Sequence, residues 1–135
     1  MIKFNEIKVG DLVRAEYDGQ LKEGEVTDLN HDEKQVCVED DVQDFWYETS
    51  QLQPIPLDEA SLFKLGFQKH ENADGSVKYM KGAFRVHIFS PNNFDEFEMW
   101  YREDRRHIHG PIPVHIFQNH YLQMTKVHLT TGPSY

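Results

Sequence analysis

Short runs of alternating apolar and polar residues, broken by turn residues, constrain the fold of this chain more than any other feature. Near the N-terminus, Val13, Ala15 and Tyr17 alternate along one run, and Val36 and Val38 alternate along another. The turn segments "DGQ" and "NHDEK" separate these runs. Period-2 runs of about five residues predict antiparallel strands. We therefore expect a small antiparallel barrel or sheet, closed by the segment "SQLQPIPL".

The rest of the chain mixes helix and strand signals. Asp58 is a candidate N-cap for a short helix that ends at Gly66, and "DG" at residues 74–75 predicts a type I′ hairpin. The runs "AFRVHIF" and "FDEFEMWY" predict strands, with a hairpin turn in "REDRR". The arginines of that turn are interrupted by acidic residues, which is typical of a charged turn.

A closing helix is predicted from Pro113, which suits the first helical position. One apolar face is made by residues at helical spacing, namely Val114, Phe117, Tyr121 and Met124. The segment "TTGPSY" is expected to end this helix. The predicted fold class is therefore α+β: an SH3-like small β-barrel over residues 1–56, then an antiparallel sheet of three or four strands with two helices over residues 57–135.

Composition limits the classes of function. The formal net charge is −9, which would repel a nucleic-acid backbone and suits a basic partner. Cys37 is the one cysteine, so neither an intrachain disulfide nor a cysteine-based zinc site is possible, and we expect a reducing cytoplasmic location. No apolar run has the length of a membrane span. We expect neither nucleic acid nor membrane as a partner, and the oligomeric state stays open.

The N-terminal part resembles SH3-like small barrels of the Tudor type. The resemblance rests on "GDLVRA" (10–15), "DG" (18–19), "GEV" (24–26), "VCVEDD" (36–41) and "LQP" (52–54). It implies an aromatic cage for methylated lysine or arginine, held by cation–π attraction. The positions that match the cage are Tyr17, Phe45, Trp46 and Tyr47. Successive strand residues point to opposite sides, so at least one of the three consecutive rings must lie outside the barrel core, either at a seam with the second half or at a ligand surface.

A second resemblance covers roughly residues 50–130. The segments "PIPLDEASLFKLGF" and "VHIFQNHYLQMT" are similar to two helical motifs in a family of small uncharacterised proteins of bacteria and their phages. This chain departs from that family at "KVHLTTG", where an acidic ending is usual. The resemblance carries no assigned activity, so it bears on fold and boundaries alone.

Four of the eight histidines lie between His107 and His120. On a strand, His107 and His109 point to one face, whereas His115 and His120 diverge by about 140° around a helix. Zinc needs three or four converging ligands, so we expect a solvated edge strand and no metal or other cofactor. The alternative is a metal-dependent enzyme in which a distant His or Glu completes a site with His107 and His109.

Three polar residues of the closing helix form a further candidate binding surface. His115, Gln118 and Asn119 are neighbours on the helix surface and could contact a peptide or a nucleotide edge. The interpretation we favour is that they satisfy polar groups of neighbouring strands.

Catalytic signals are weak. Cys37 lies in an apolar run, where a thiol is usually inert, and neither a Gly-X-Ser-X-Gly motif nor a phosphate loop occurs. We therefore expect a non-enzymatic protein or peptide interaction module whose ligand surface surrounds Tyr17 and residues 45–47. An alternative is an acidic nucleic-acid mimic that inhibits a nucleic-acid-binding protein through "EDDVQD" (39–44).

Overall fold

The computed structural model describes residues 2–131 and contains two five-stranded antiparallel sheets and two α-helices, so the mixed α and β class is confirmed. The elements in chain order are β1 (Leu12–Tyr17), β2 (Gln20–Asn30), β3 (Gln35–Glu39), β4 (Asp44–Glu48), β5 (Leu52–Gln53), α1 (Glu59–Lys64), β6 (Gln68–Glu71), β7 (Val77–Lys81), β8 (Phe84–Ile88), β9 (Glu96–Tyr101), β10 (Asp104–His109) and α2 (Val114–Thr125).

The first sheet has the strand order β4-β3-β2-β1-β5. Asp18 and Gly19 both have positive φ and form a two-residue hairpin that pairs Tyr17 with Gln20. The predicted alternation holds for the buried residues Val13 and Ala15. Within residues 2–131 the edge strands β4 and β5 do not pair with each other, so the sheet is open.

The second sheet has the strand order β10-β9-β8-β7-β6, so it has five strands where three or four were predicted. Phe84, Val86 and Ile88 are fully buried on one face, as predicted. The histidine-rich strand β10 lies at the edge of this sheet, also as predicted. The strand begins at Asp104, so "REDRR" is mostly strand and the turn is limited to residues 102–103.

The hairpin between β6 and β7 differs from the predicted type I′ turn. Gly75 has a positive φ, but Asp74 does not, whereas a type I′ turn needs both. The loop contains three residues, 73–75, and is closed by a hydrogen bond from the backbone N–H of Asn72 to the carbonyl of Ser76 at 2.9 Å. The carboxylate of Asp74 instead accepts from the Ser76 backbone N–H at 2.9 Å.

Both predicted helices are present, and each begins close to its predicted start. Asp58 caps α1 by accepting from the Ser61 backbone N–H at 2.8 Å, and Gly66 takes the left-handed conformation after the helix. Pro113 is the N-cap of α2 rather than its first helical residue. The buried face of α2 is the predicted one, and Phe117 is fully buried.

The end of α2 was predicted wrongly. The helix ends at Thr125, followed by Lys126 in the left-handed conformation, so residues 130–131 lie well beyond it. The remaining part of "TTGPSY", residues 132–135, lies outside the described residues. No helix within residues 2–131 has the length and apolar character needed to cross a bilayer.

The two sheets enclose separate apolar cores that meet along β1 and α2. Val13 and Ala15 belong to the first core, whereas Leu12 of the same strand belongs to the second. Both helices contribute to the second core and cover one face of its sheet. The segment between β5 and α1 is joined to the start of α2, since the Val114 backbone N–H donates to the carbonyl of Ile55 at 2.8 Å.

Candidate functional site

Three of the four aromatic residues matched to the Tudor cage come together at one end of the first sheet. The rings of Tyr17 and Phe45 are stacked with centroids 4.7 Å apart, and Phe45 meets Tyr47 edge-on at 6.4 Å. The strands β1 and β4 are separated by two others, so they would lie about 14 Å apart in a flat sheet. The contact between their rings therefore indicates that the sheet curls around this end.

A cavity of about 220 Å³ opens beside these rings. This is smaller than the ~300–1,000 Å³ of typical small-molecule sites, so its size suits one side chain. Tyr17 and Tyr47 are the aromatic residues that line it, and Phe45 stacks on Tyr17 without lining the cavity itself. The other residues that line it are Ala15, Asp18, Gln20, Lys22, Val38, Asp40 and Gln43.

Asp40 is one of the two carboxylates that line the cavity. Its Oδ1 accepts from the backbone N–H groups of Val42 at 2.8 Å and Gln43 at 2.9 Å. These hydrogen bonds lower the pKa of Asp40, so the carboxylate keeps its negative charge well into the acid range. Burial raises the pKa of Tyr47, and the charge of Asp40 adds to this effect, so the phenol stays neutral. The cavity thus combines neutral rings with a fixed anion.

More acidic residues adjoin the cavity. Asp40 also lines a shallow groove that contains Glu25, Glu39 and Glu23, the last of which is paired with Lys64 at 2.6 Å. Glu25 and Glu39 are directly paired between β2 and β3. Burial raises the pKa of Glu25, and the charge of Glu39 raises it further, as expected for two carboxylates that share one surface. Asp40 therefore joins the aromatic cavity to an acidic surface.

Trp46, the fourth matched residue, does not join the aromatic cluster. It is paired with Cys37 in β3, and 45% of its surface is exposed. Phe45 and Tyr47 point to the opposite side of β4, as strand geometry requires. The predicted alternation is therefore confirmed, and Trp46 is the ring that lies outside the core.

The predicted trio on α2 lies at the junction of the two sheets. The side-chain oxygen of fully buried Gln118 accepts from the Leu12 backbone N–H at 2.9 Å, and its amide donates to the carbonyls of Gly10 at 2.9 Å and Leu129 at 2.8 Å. The amide of Asn119 donates to the carbonyl of Glu6 at 3.0 Å. Both side chains thus satisfy backbone groups, which is the interpretation favoured from the sequence.

His115, the third member of the trio, is also buried there. Its Nε2 lies 3.4 Å from Glu6 Oε2, and its Nδ1 has no hydrogen-bond partner among residues 2–131. Nearby Asp11 is fully buried, with Lys8 as the partner of its carboxylate, and burial raises the pKa of Asp11. The sequence pattern did not single out Asp11 or Lys8, because neither lies in an apolar periodic run.

A separate polar cluster lies on the second sheet. His107 and His109 share an exposed face, as predicted, and Glu96 lies beside them. The sequence alone does not pair Glu96 with the histidines, because it does not specify the register of β9 against β10. That register pairs His109 directly with Glu96.

In comparisons with protein-family models, curated protein sequences and solved structures, no match to this chain was found.

Proposed function

We propose that this protein is a non-enzymatic binding module that takes a cationic side chain of a basic peptide into the cavity between Tyr17 and Tyr47. We also propose that its first sheet is an SH3-like barrel of the Tudor type. The convergence of Tyr17, Phe45 and Tyr47 beside ionised Asp40 carries this proposal.

The chemistry of the cavity favours a large, weakly hydrated cation. Aromatic faces attract such cations, and their desolvation is less costly than that of a free ammonium group. Asp18 and Asp40 outnumber the one cation, Lys22, among the lining residues. The adjoining carboxylates would attract further positive residues of the same peptide. A methylated lysine within a basic segment is the ligand that meets all of these conditions.

The test is a binding titration with fluorescent lysine-rich peptides that carry either unmodified or trimethylated lysine. We expect the trimethylated peptide to bind more tightly. Tyr17→Ala should weaken its binding by roughly fivefold or more, since a cation–π contact contributes about 1 kcal/mol. Asp40→Asn should weaken both peptides.

Trp46→Ala is the matched control, because Trp46 is an aromatic residue of similar exposure on the other side of the sheet. It should leave peptide affinity unchanged. The aromatic site would be rejected if the two peptides bound with equal affinity and Tyr17→Ala did not change that affinity. A larger effect from Trp46→Ala than from Tyr17→Ala would move the ligand surface to the opposite face.

A further inference from the structure

The outer face of the second sheet carries a compact group of metal-ligand side chains. The helices cover the face of Phe84, Val86 and Ile88, which leaves the opposite face to solvent. On β10 that face includes His107 and His109, and their partners on β9 are Glu98 and Glu96. Directly paired residues of antiparallel strands share a face, so four potential ligands are neighbours there.

Three of these side chains converge on one point. His107 Nε2 lies 2.6 Å from Glu96 Oε1, and His109 Nδ1 lies 3.9 Å from the same oxygen. Each of Glu96, His107 and His109 offers one ligand atom, and these three atoms all lie within 4.8 Å of one another. A tetrahedral zinc ion holds its ligand atoms about 3.3 Å apart, so small rotations of these exposed side chains would suffice.

The surroundings of His107 favour the orientation that a metal requires. With Nε2 directed to Glu96, its Nδ1 faces Glu98 Oε1 at 3.6 Å. Metal-binding histidines usually donate their second N–H to a carboxylate, which fixes the tautomer and the ring. The ring of Phe89 lies roughly parallel to that of His107, with centroids 6.3 Å apart. Glu98 is thus a candidate positioning residue.

We infer that Glu96, His107 and His109 form a binding site for one divalent transition-metal ion of the zinc class. Imidazole nitrogens favour zinc and its neighbours over magnesium or calcium, which prefer oxygen ligands. The negative charges of Glu96 and Glu98 balance the ion. Three protein ligands on an exposed face leave a position for water or a further ligand. The site lies on the second sheet and uses none of the cavity residues, so it does not depend on the proposed peptide binding.

The test is calorimetric titration of zinc into the untagged full chain after treatment with a chelator. We expect one zinc ion per chain and a higher melting temperature with zinc present, because the ion binds the folded state. The double variant His107→Ala/His109→Ala should abolish binding, and Glu96→Gln, which removes a charged ligand, should weaken it by more than the about tenfold loss typical of an outer-shell partner. Glu98→Gln should weaken it less, with the stoichiometry unchanged.

The matched control is His70→Ala, which removes an exposed histidine from β6 at the far edge of the same sheet. It should bind zinc like the wild type. The absorption spectrum of bound cobalt should lose its signal in the double variant but not in the control. Absence of zinc binding to the wild type, or wild-type binding by the double variant, would overturn the assignment.

Discussion

At the scale of single residues, His120 links the stability of the fold to pH. It lies half-buried on α2, where Arg106 of β10 donates to its Nδ1 at 2.9 Å. Burial lowers the pKa of His120, and the positive charge of Arg106 lowers it further. The folded state therefore holds this imidazole neutral at pH values where the unfolded chain would protonate it.

We predict that the free energy of unfolding decreases as pH falls below about 6.5, the ordinary pKa of histidine. In that range the unfolded chain takes up a proton at His120 before the folded chain does, which favours unfolding. His120→Asn keeps an acceptor for Arg106 and should reduce this pH dependence, as measured by urea unfolding at several pH values. The control is His70→Asn at an exposed position. An unchanged slope in His120→Asn would contradict the prediction.

The sequence predicted the buried face of α2 but not the partner of His120. Helical spacing alone identifies Phe117 and Tyr121 as core residues. The contact with Arg106 depends on how α2 docks against β10, which local patterning does not contain. The sequence predicts Arg106 in a charged turn, whereas it lies on a strand and also donates to Gln123 Oε1 at 2.8 Å.

At the scale of secondary-structure elements, Gln118 connects α2 to β1 and to the segment after the helix. Its three hydrogen bonds are buried, so its loss would leave the Leu12 N–H and the Gly10 and Leu129 carbonyls unsatisfied. We predict that Gln118→Ala lowers the free energy of unfolding by about 3 kcal/mol, measured by urea unfolding.

Gln123→Ala is the matched control for Gln118→Ala, because it changes the same residue type on an exposed part of the same helix. It removes one exposed hydrogen bond and should lower stability by less than about 1 kcal/mol. Equal effects of the two substitutions would show that the buried hydrogen bonds do not stabilise the junction.

Most strands were predictable from the sequence, but their register was not. Alternation identifies a strand and its two faces, whereas turn geometry fixes which residues lie opposite each other. A two-residue turn at residues 18–19 brings Gln20 opposite Tyr17, and Lys22 opposite Ala15, to line the cavity. A two-residue turn at residues 102–103 similarly aligns Glu96 with His109. Both sites therefore depend on a strand register that alternation alone does not specify.

At the scale of the whole molecule, the two predicted parts pack against each other, and residues of the first part contribute to the core of the second. Leu12 and Ile55, from the first 56 residues, are buried in the second core. Trp46 was considered as a seam residue from the sequence, but it is 45% exposed, and the polar contacts at the junction come from α2. The sequence contains no local signal for this junction because its partners are about 100 residues apart.

We predict that fragments 1–56 and 57–135 are each less ordered alone than in the intact chain. Separation removes Leu12 and Ile55 from the second core and leaves the Leu12 N–H without Gln118. Mixing the fragments should restore the near-ultraviolet circular dichroism of the intact chain. Gln118→Ala in the second fragment should weaken their association. A second fragment that folds fully by itself would contradict this prediction.

The polar edges of the second sheet have a consequence for self-association. An edge strand presents free N–H and C=O groups on which a strand of another molecule can form a continuous intermolecular sheet. All four residues of β6 are polar and exposed, and β10 carries charged or imidazole side chains at five of its six positions. Adding another strand at either edge would bring these groups against a neighbour and strip their water. The side chains of both edge strands thus disfavour the addition of a strand from another molecule to the second sheet.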